Sequence, residues 1–409
     1  MADVLHPSIG GVTPGDRRRV LATAAGCVFL NFLAFAGLTP LYPEVAHDLG
    51  MGVDNLALFF TVSALVTAAL QIPVGVFADR FGRRPALVLG LLFMAAGQAL
   101  RWQARTPLIF GAGQLAIGAC SPLIVAAGYA AVADAYARAG RAEAMGIVSS
   151  AISLGQITGF LTAGVAGQFV GWRGYSLGVA LLPFLLLGPA LTMPEPSRVA
   201  QPASLGRSML RAVRFLIEPQ AAGLAIVAAL ALGAGFSAGY VLPFVARQFG
   251  YGGSATSLLL VPYVVGSIVG SPLVGRWADR TGVPRLLAGC LLVGGLALAA
   301  FGLLPFGLPI EIPSYLLIGG GTGAALSLAS TAIVAQAGRR GAGSGAALGG
   351  LRVGQQMGFA FGPAVAGFAF AHGGRPPAFL LLALFLLAAA AIALPSTSSL
   401  QPAPRPAPI

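Results

Sequence analysis

Charged residues are so sparse along this chain that they cut it into uncharged, largely apolar runs: 20–43, 55–78, 85–100, 106–133, 144–172 and 174–194. After a basic segment follow 219–246, 248–275, 286–310, 312–338, 341–374, broken only by Arg352, and 376–394. A helix crossing the hydrocarbon of a bilayer needs about 20 residues, and all but one of these runs reach roughly 18. The exception, 85–100, gains length if Arg84 and Arg101 extend their side chains to the two interfaces. Gly (58) and Pro (29), many of them inside the runs, argue for close-packed, bent membrane helices rather than strands. The pattern therefore predicts an all-α membrane protein of twelve transmembrane helices, six and six.

The six-plus-six division is also written as a repeat. Val74–Gly82 reads Val-Gly-Val-Phe-Ala-Asp-Arg-Phe-Gly, and Val274–Gly282 reads Val-Gly-Arg-Trp-Ala-Asp-Arg-Thr-Gly. The same offset aligns Pro43, Val45, Ala46 and Gly50 with Pro243, Val245, Ala246 and Gly250. Two pseudo-symmetric six-helix bundles follow, at 20–194 and 220–394. A tail at 1–19, a linker at 195–219 and a Pro-rich, disordered tail at 395–409 complete the expected division.

Composition changes the solvent, not the fold. With 57% hydrophobic and 9% charged residues, a water-soluble globule would expose too much apolar surface. The net charge of +12 does not indicate nucleic acid, because the basic residues lie in short turns rather than on one face. It indicates orientation instead. If the amino terminus is cytoplasmic, 18 of the 24 arginines fall on the inner side and five, Arg101, Arg105, Arg173, Arg247 and Arg375, on the outer side. That bias places both termini in the cytoplasm and the protein in the cytoplasmic (inner) membrane. The linker, with Arg198, Arg207, Arg211 and Arg214 around Leu210, Val213 and Leu216, reads as a short surface helix or a solvated connection. Cys27, Cys120 and Cys290 sit singly inside apolar runs and His6, His47 and His372 are equally scattered, so neither a metal site nor a disulfide is expected.

The turn Gly75-Val-Phe-Ala-Asp79-Arg80-Phe-Gly82-Arg83-Arg84, between spans two and three of a duplicated twelve-span chain, resembles the signature of the major facilitator superfamily. The resemblance covers residues 20–394 and is similar to the twelve-span drug/proton antiporter group. It implies that Asp79 docks at the cytoplasmic start of span eleven and that Arg83 pairs with an acid at the inner end of span four, where Asp134 stands. Those contacts would latch the halves on one face during alternating access. In the second copy, around Asp279 and Arg280, Val283 replaces the counterpart of Arg83 and no acid follows Glu311. A one-sided latch is expected, with Asp279 left to a helix terminus at span five.

Span five carries Gly146, Gly155, Gly159, Ala163 and Gly164, resembling the glycine-rich motif of exporters, with Phe160 where that motif has Pro. Span eleven repeats the spacing at Gly349, Gly358, Gly362, Pro363, Ala366 and Gly367. Close helix packing explains the same residues. Span four has Gln114 four residues before Gly118, where related exporters have Arg, and no acid falls in the middle of a span; Glu44 is the nearest candidate. Arg352, 12 residues past Arg340, falls about 18 Å along span eleven, so a partner or a wet cavity is expected: a pathway residue, or one satisfied by Gln355, Gln356 or carbonyls. By resemblance, spans one, four, seven and ten line the cavity with Asn31, Phe35, Gln114, Phe236, Tyr240 and Tyr315, joined by Gln156 and Tyr263 from flanking helices. This aromatic and amide-rich set suits a small, largely apolar, neutral or weakly anionic molecule.

The expectation is a monomeric secondary transporter, not an enzyme, exporting a small amphipathic compound. No cofactor is expected, and proton coupling is left open. The rival readings are an uptake or facilitated-diffusion carrier for a small anionic metabolite, and a membrane receptor or scaffold.

Overall fold

The computed structural model of the protein describes residues 13–136, 138–195, 218–339 and 344–397, without side chains at 138, 139, 142, 279, 280, 338, 339 and 344–347. Twelve α-helices account for nearly all of the described residues, and no strand occurs among them. They are α1 (Pro14–Ala36), α2 (Tyr42–Asp48), α3 (Val53–Phe81), α4 (Arg83–Gln103), α5 (Pro107–Ala135), α6 (Arg138–Leu191), α7 (Pro219–Gln248), α8 (Gly253–Thr281), α9 (Val283–Leu303), α10 (Leu308–Arg339), α11 (Ser344–Gly373) and α12 (Arg375–Ser396).

Helices and spans do not correspond one to one. A single 3-10 turn at Thr39–Leu41 joins α1 to the short α2, which together make the first span. At 54 residues α6 is about 80 Å long, more than twice a hydrocarbon core, so it holds two passes. Gly171, with φ +64°, turns the chain between them, as Gly374, with φ +74°, turns it between α11 and α12. Ten stretches of the described residues are long and apolar enough to cross a membrane. Dividing α6 and adding the 30-residue α11, whose apolar character is diluted by Arg352 and its glycines, gives the twelve passes read from the runs. Side chains such as Leu108 and Phe169, each 81% exposed, make up an apolar exterior that fits lipid and not water.

The chain divides into two compact units: residues to Gly50 with Val66–Leu205, and Met51–Leu65 with everything from Gly206. The first half of α3 therefore groups with the second unit, a division within a helix that the run pattern does not contain. There, Tyr240 on α7 donates its hydroxyl to the Val53 carbonyl, and Thr61 donates to the Ala360 carbonyl at 2.5 Å.

Each unit repeats the packing of the other. In the first, α1 lies on α6 so closely that a β-carbon at Gly159 would sit 2.7 Å from the Leu33 carbonyl oxygen, and one at Gly155 would strike that of Phe29. In the second, α7 lies on α11, where a β-carbon at Gly362 would sit 2.8 Å from the Gly233 carbonyl oxygen and one at Gly358 would strike that of Ala229. The exporter-like glycines are thus main-chain contact points, whereas Gly146 and Gly349 face open space. The ends of the bundles are stapled alike. Arg173 donates to the Ala104 carbonyl at 3.1 Å and pairs with Asp48 at 2.8 Å, and Arg375 donates to the Leu304 carbonyl at 2.6 Å.

Candidate functional site

The α3–α4 turn is built around Gly82, whose φ of +113° is open to glycine and strained for other residues. Gly82 is also the N-cap of α4 and offers no side chain to the exposed amides of the first turn. Glu195, at the end of the α6 segment, supplies one: its Oε1 accepts from the Arg84 amide at 3.0 Å, and its carboxylate occupies the space a side chain at 82 would need. Sequence reasoning left Glu195 in the linker, because nothing local ties it to a turn 111 residues away.

Asp79 lies in the last turn of α3 and Arg83 in the first turn of α4, each at the helix end that disfavours its charge. Pairing offsets both. Arg83 Nη1 meets Asp79 at 2.5 Å and Nε meets Asp134, from the far end of α5, at 3.2 Å. The arginine side chain is 19% exposed and the carboxylates 42% and 46%, so the triad is partly screened by solvent. Arg80 lies over the Phe81 ring at 5.4 Å, and Gly75 is a helix position with open space beside it. The start of span eleven, expected to receive Asp79, and the side chains of Asp279 and Arg280 lie outside the described residues, as do the linker from 196 to 217 and the tail from 398. In the structure Asp79 is engaged by Arg83.

The expected cavity residues are divided between the two units. Asn31 (3% exposed) receives the Cys120 thiol at 3.4 Å, and Gln114 is equally buried. The Tyr240 and Tyr315 hydroxyls are committed to the carbonyls of Val53 and Ala238, the latter at 2.8 Å, so these rings fasten helices and do not face an open cavity. Phe236 packs on Phe359, ring centroids 4.4 Å apart, and Tyr263 accepts from Thr322 at 3.4 Å. Phe35, Gln156, Phe236, Tyr263 and Gln356 keep partly accessible surface. A cavity of about 450 Å³ between α8, α9 and α10 is lined almost wholly by apolar groups such as Val269, Leu273 and Trp277, and by none of the expected contacts.

Three charges bear on the expectations. Arg352 is exposed on α11 and is held by Gln355, one of the partners expected for it, Nη1 to Oε1 at 3.2 Å. Arg101 does not reach an interface. It is 1% exposed, with Nη1 3.4 Å from the Ala34 carbonyl and the guanidinium 5.7 Å from the centre of the Phe110 ring, while Nε has no acceptor among the described residues. Gly113 makes the room, since a β-carbon there would stand 3.1 Å from Arg101 Cγ. The ionisable groups acting on Arg101 are Tyr42, Cys120 and Tyr175, none of them a carboxylate. Glu311, read as the boundary of a run, lies inside α10 and is 1% exposed.

A family model for the Major Facilitator Superfamily matches residues 24–347, and again 224–408. Multidrug resistance protein 2 of Bacillus subtilis (strain 168) is 23% identical over 295 residues, 69% of this chain and 72% of that protein. Multidrug efflux protein YfmO of the same organism is 28% identical over 172 residues, 42% of each chain. The crystal structure of a bacterial homologue of the human lysosomal transporter Spinster, inward-facing and unoccupied, superposes with a TM-score of 0.77 at 20% identity, covering 95% of this chain and 98% of that one. The first family match alone takes in most of the chain, in register with the duplicated turns and paired bundles, and the chain belongs to the Major Facilitator Superfamily: it is a multi-pass membrane transporter and not an enzyme.

Proposed function

We propose that this transporter is a secondary active exporter, moving a small amphipathic compound outward across the cytoplasmic membrane by alternating access, as a monomer with both termini in the cytoplasm. The observation that carries this reading is the alignment over 295 residues with a multidrug resistance protein. The partly accessible aromatic and amide positions Phe35, Gln156, Phe236, Tyr263 and Gln356 agree with it, offering ring faces and neutral hydrogen bonds and no fixed charge. The Asp79–Arg83–Asp134 triad acts as the latch that biases one state of the cycle, with Glu195 holding its turn.

The test is extrusion of N-phenylnaphthylamine, a neutral amphipathic dye, from energised cells that express the protein. Lower steady-state dye than in empty-vector cells, restored on collapse of the proton gradient, supports export. Equal dye levels overturn it. The exposed Arg352 on α11 favours one other reading, an uptake or facilitated-diffusion carrier for a small anion. Net accumulation of an organic anion, lost in Arg352→Ala, would establish that instead.

A further inference from the structure

In the second unit α8 and α9 both lie on α10 and hardly touch one another, and the cavity of about 450 Å³ is the wedge-shaped groove left between them. Glycines set its depth. A β-carbon at Gly266 would strike the Leu316 carbonyl, and one at Gly270 would sit 2.8 Å from the Gly320 α-carbon, so α8 meets α10 main chain to main chain. On the other side, a β-carbon at Gly321 would sit 2.5 Å from the Cys290 carbonyl oxygen of α9. Gly289, on the α9 wall of the groove, is different: a β-carbon there would meet nothing within 4 Å. The 200-residue offset pairs Gly266, Gly270 and Gly289 with Val66, Leu70 and Leu89, so the first half carries side chains where the second has none.

The groove has the length of one leaflet. From Val265 to Trp277 its α8 wall rises about 18 Å, a little more than half of a hydrocarbon core of about 30 Å. Val269, Leu273 and Trp277 are about half exposed, so it is open along that wall, and its lining is apolar surface of the kind a bilayer covers. One end, at Trp277 and Leu286, lies within about one helical turn of the α8–α9 connection. Next to these two in sequence Arg276 and Arg285 are exposed, and residues 276–285 carry a net of two positive charges. A tryptophan and arginines at the end of an apolar slot match the interface of an anionic membrane. We infer that the groove binds one acyl chain of an anionic phospholipid of the surrounding bilayer, with its phosphate held at the α8–α9 turn by Arg276 and Arg285. The acyl chain supplies the contact that α8 and α9 do not make with each other.

The test uses the full-length protein in phosphatidylcholine nanodiscs doped with phosphatidylglycerol or phosphatidylcholine brominated on one acyl chain, which quenches nearby tryptophan. The Trp277 signal is the difference between wild type and Trp277→Phe, which leaves Trp102 and Trp172 in place. Brominated phosphatidylglycerol should quench it with an apparent affinity above that of brominated phosphatidylcholine by about fivefold for each arginine engaged. Equal quenching by the two lipids, or quenching by neither, would overturn the lipid site. Gly289→Leu fills the groove with the side chain found at position 89 and gains helix propensity, so it should remove the preference with an unfolding midpoint no lower than that of the wild type. Arg276→Gln combined with Arg285→Gln should also remove the preference, leaving the groove open to either lipid. A preference kept in either variant would overturn the assignment. No dye is moved in these measurements, so they stand even if the export reading fails.

Discussion

Gly159→Ala is the sharpest probe of how the bundles hold together. The added methyl carbon would lie 2.7 Å from the Leu33 carbonyl oxygen and 3.0 Å from the Gly37 amide nitrogen. A carbon–oxygen contact is comfortable at about 3.3 Å, so α1 and α6 must separate by about half an ångström along a shared face. Overpacking of this kind costs about 1–3 kcal/mol, offset in part by about 1 kcal/mol gained when alanine replaces glycine inside a helix. The net is a loss of up to about 2 kcal/mol, or up to roughly 8 °C in unfolding midpoint for a unit of this size. Gly146→Ala, on the same helix, has nothing within 4 Å of the new methyl and keeps only the helix-propensity gain. Gly362→Ala, pressed on the Gly233 carbonyl, should match Gly159→Ala. The assay is intrinsic-fluorescence thermal unfolding of the detergent-purified variants. A Gly159→Ala midpoint equal to or above that of Gly146→Ala would refute main-chain contact as the reason for glycine at these positions.

Arg83→Ala and Asp134→Asn should each slow dye extrusion, and together slow it by less than the product of the two. The coupling expected is about 0.5–1 kcal/mol, since both carboxylates are more than a third exposed, and independent, multiplicative losses would dismiss a shared latch. Arg101→Met should raise the unfolding midpoint, corresponding to about 1–4 kcal/mol, because it removes a buried charge that no acid compensates. A lowered midpoint would show that the contacts to the Ala34 carbonyl and the Phe110 ring outweigh the cost of the buried charge. On the anion-carrier reading Arg352→Ala should abolish transport with membrane abundance unchanged, and wild-type transport in that variant would reduce Arg352 to a residue held by Gln355.

The twelve passes and the duplication were legible because bilayer thickness imposes a length on each apolar run, and because the turn at Asp79 recurs 200 residues on with its glycine. Periodicity could not show which way a single arginine points. Arg101 ends its run like an interface anchor, and only the gap opposite Gly113, on a different helix, draws it inward. Glu311 was hidden for the same reason: at the edge of a run, a carboxylate facing solvent and one facing an aromatic wall have the same sequence. Glu195 escaped because a cap delivered from 111 residues away leaves no local spacing. Tyr240 and Tyr315 fell on the expected helices, but whether a hydroxyl meets a ligand or a neighbouring carbonyl depends on rotations between helices that no pattern along one chain encodes.

The arginine staples at the bundle ends have a further consequence. Their acceptors, the carbonyls of Ala104 and Leu304, belong to the polypeptide itself, so replacing either residue by another leaves the acceptor in place. The two copies are thus free to drift in side-chain identity at these positions, as alanine and leucine already show, while the joint survives. Kinship between the halves is therefore preserved more faithfully in their peptide units than in their letters.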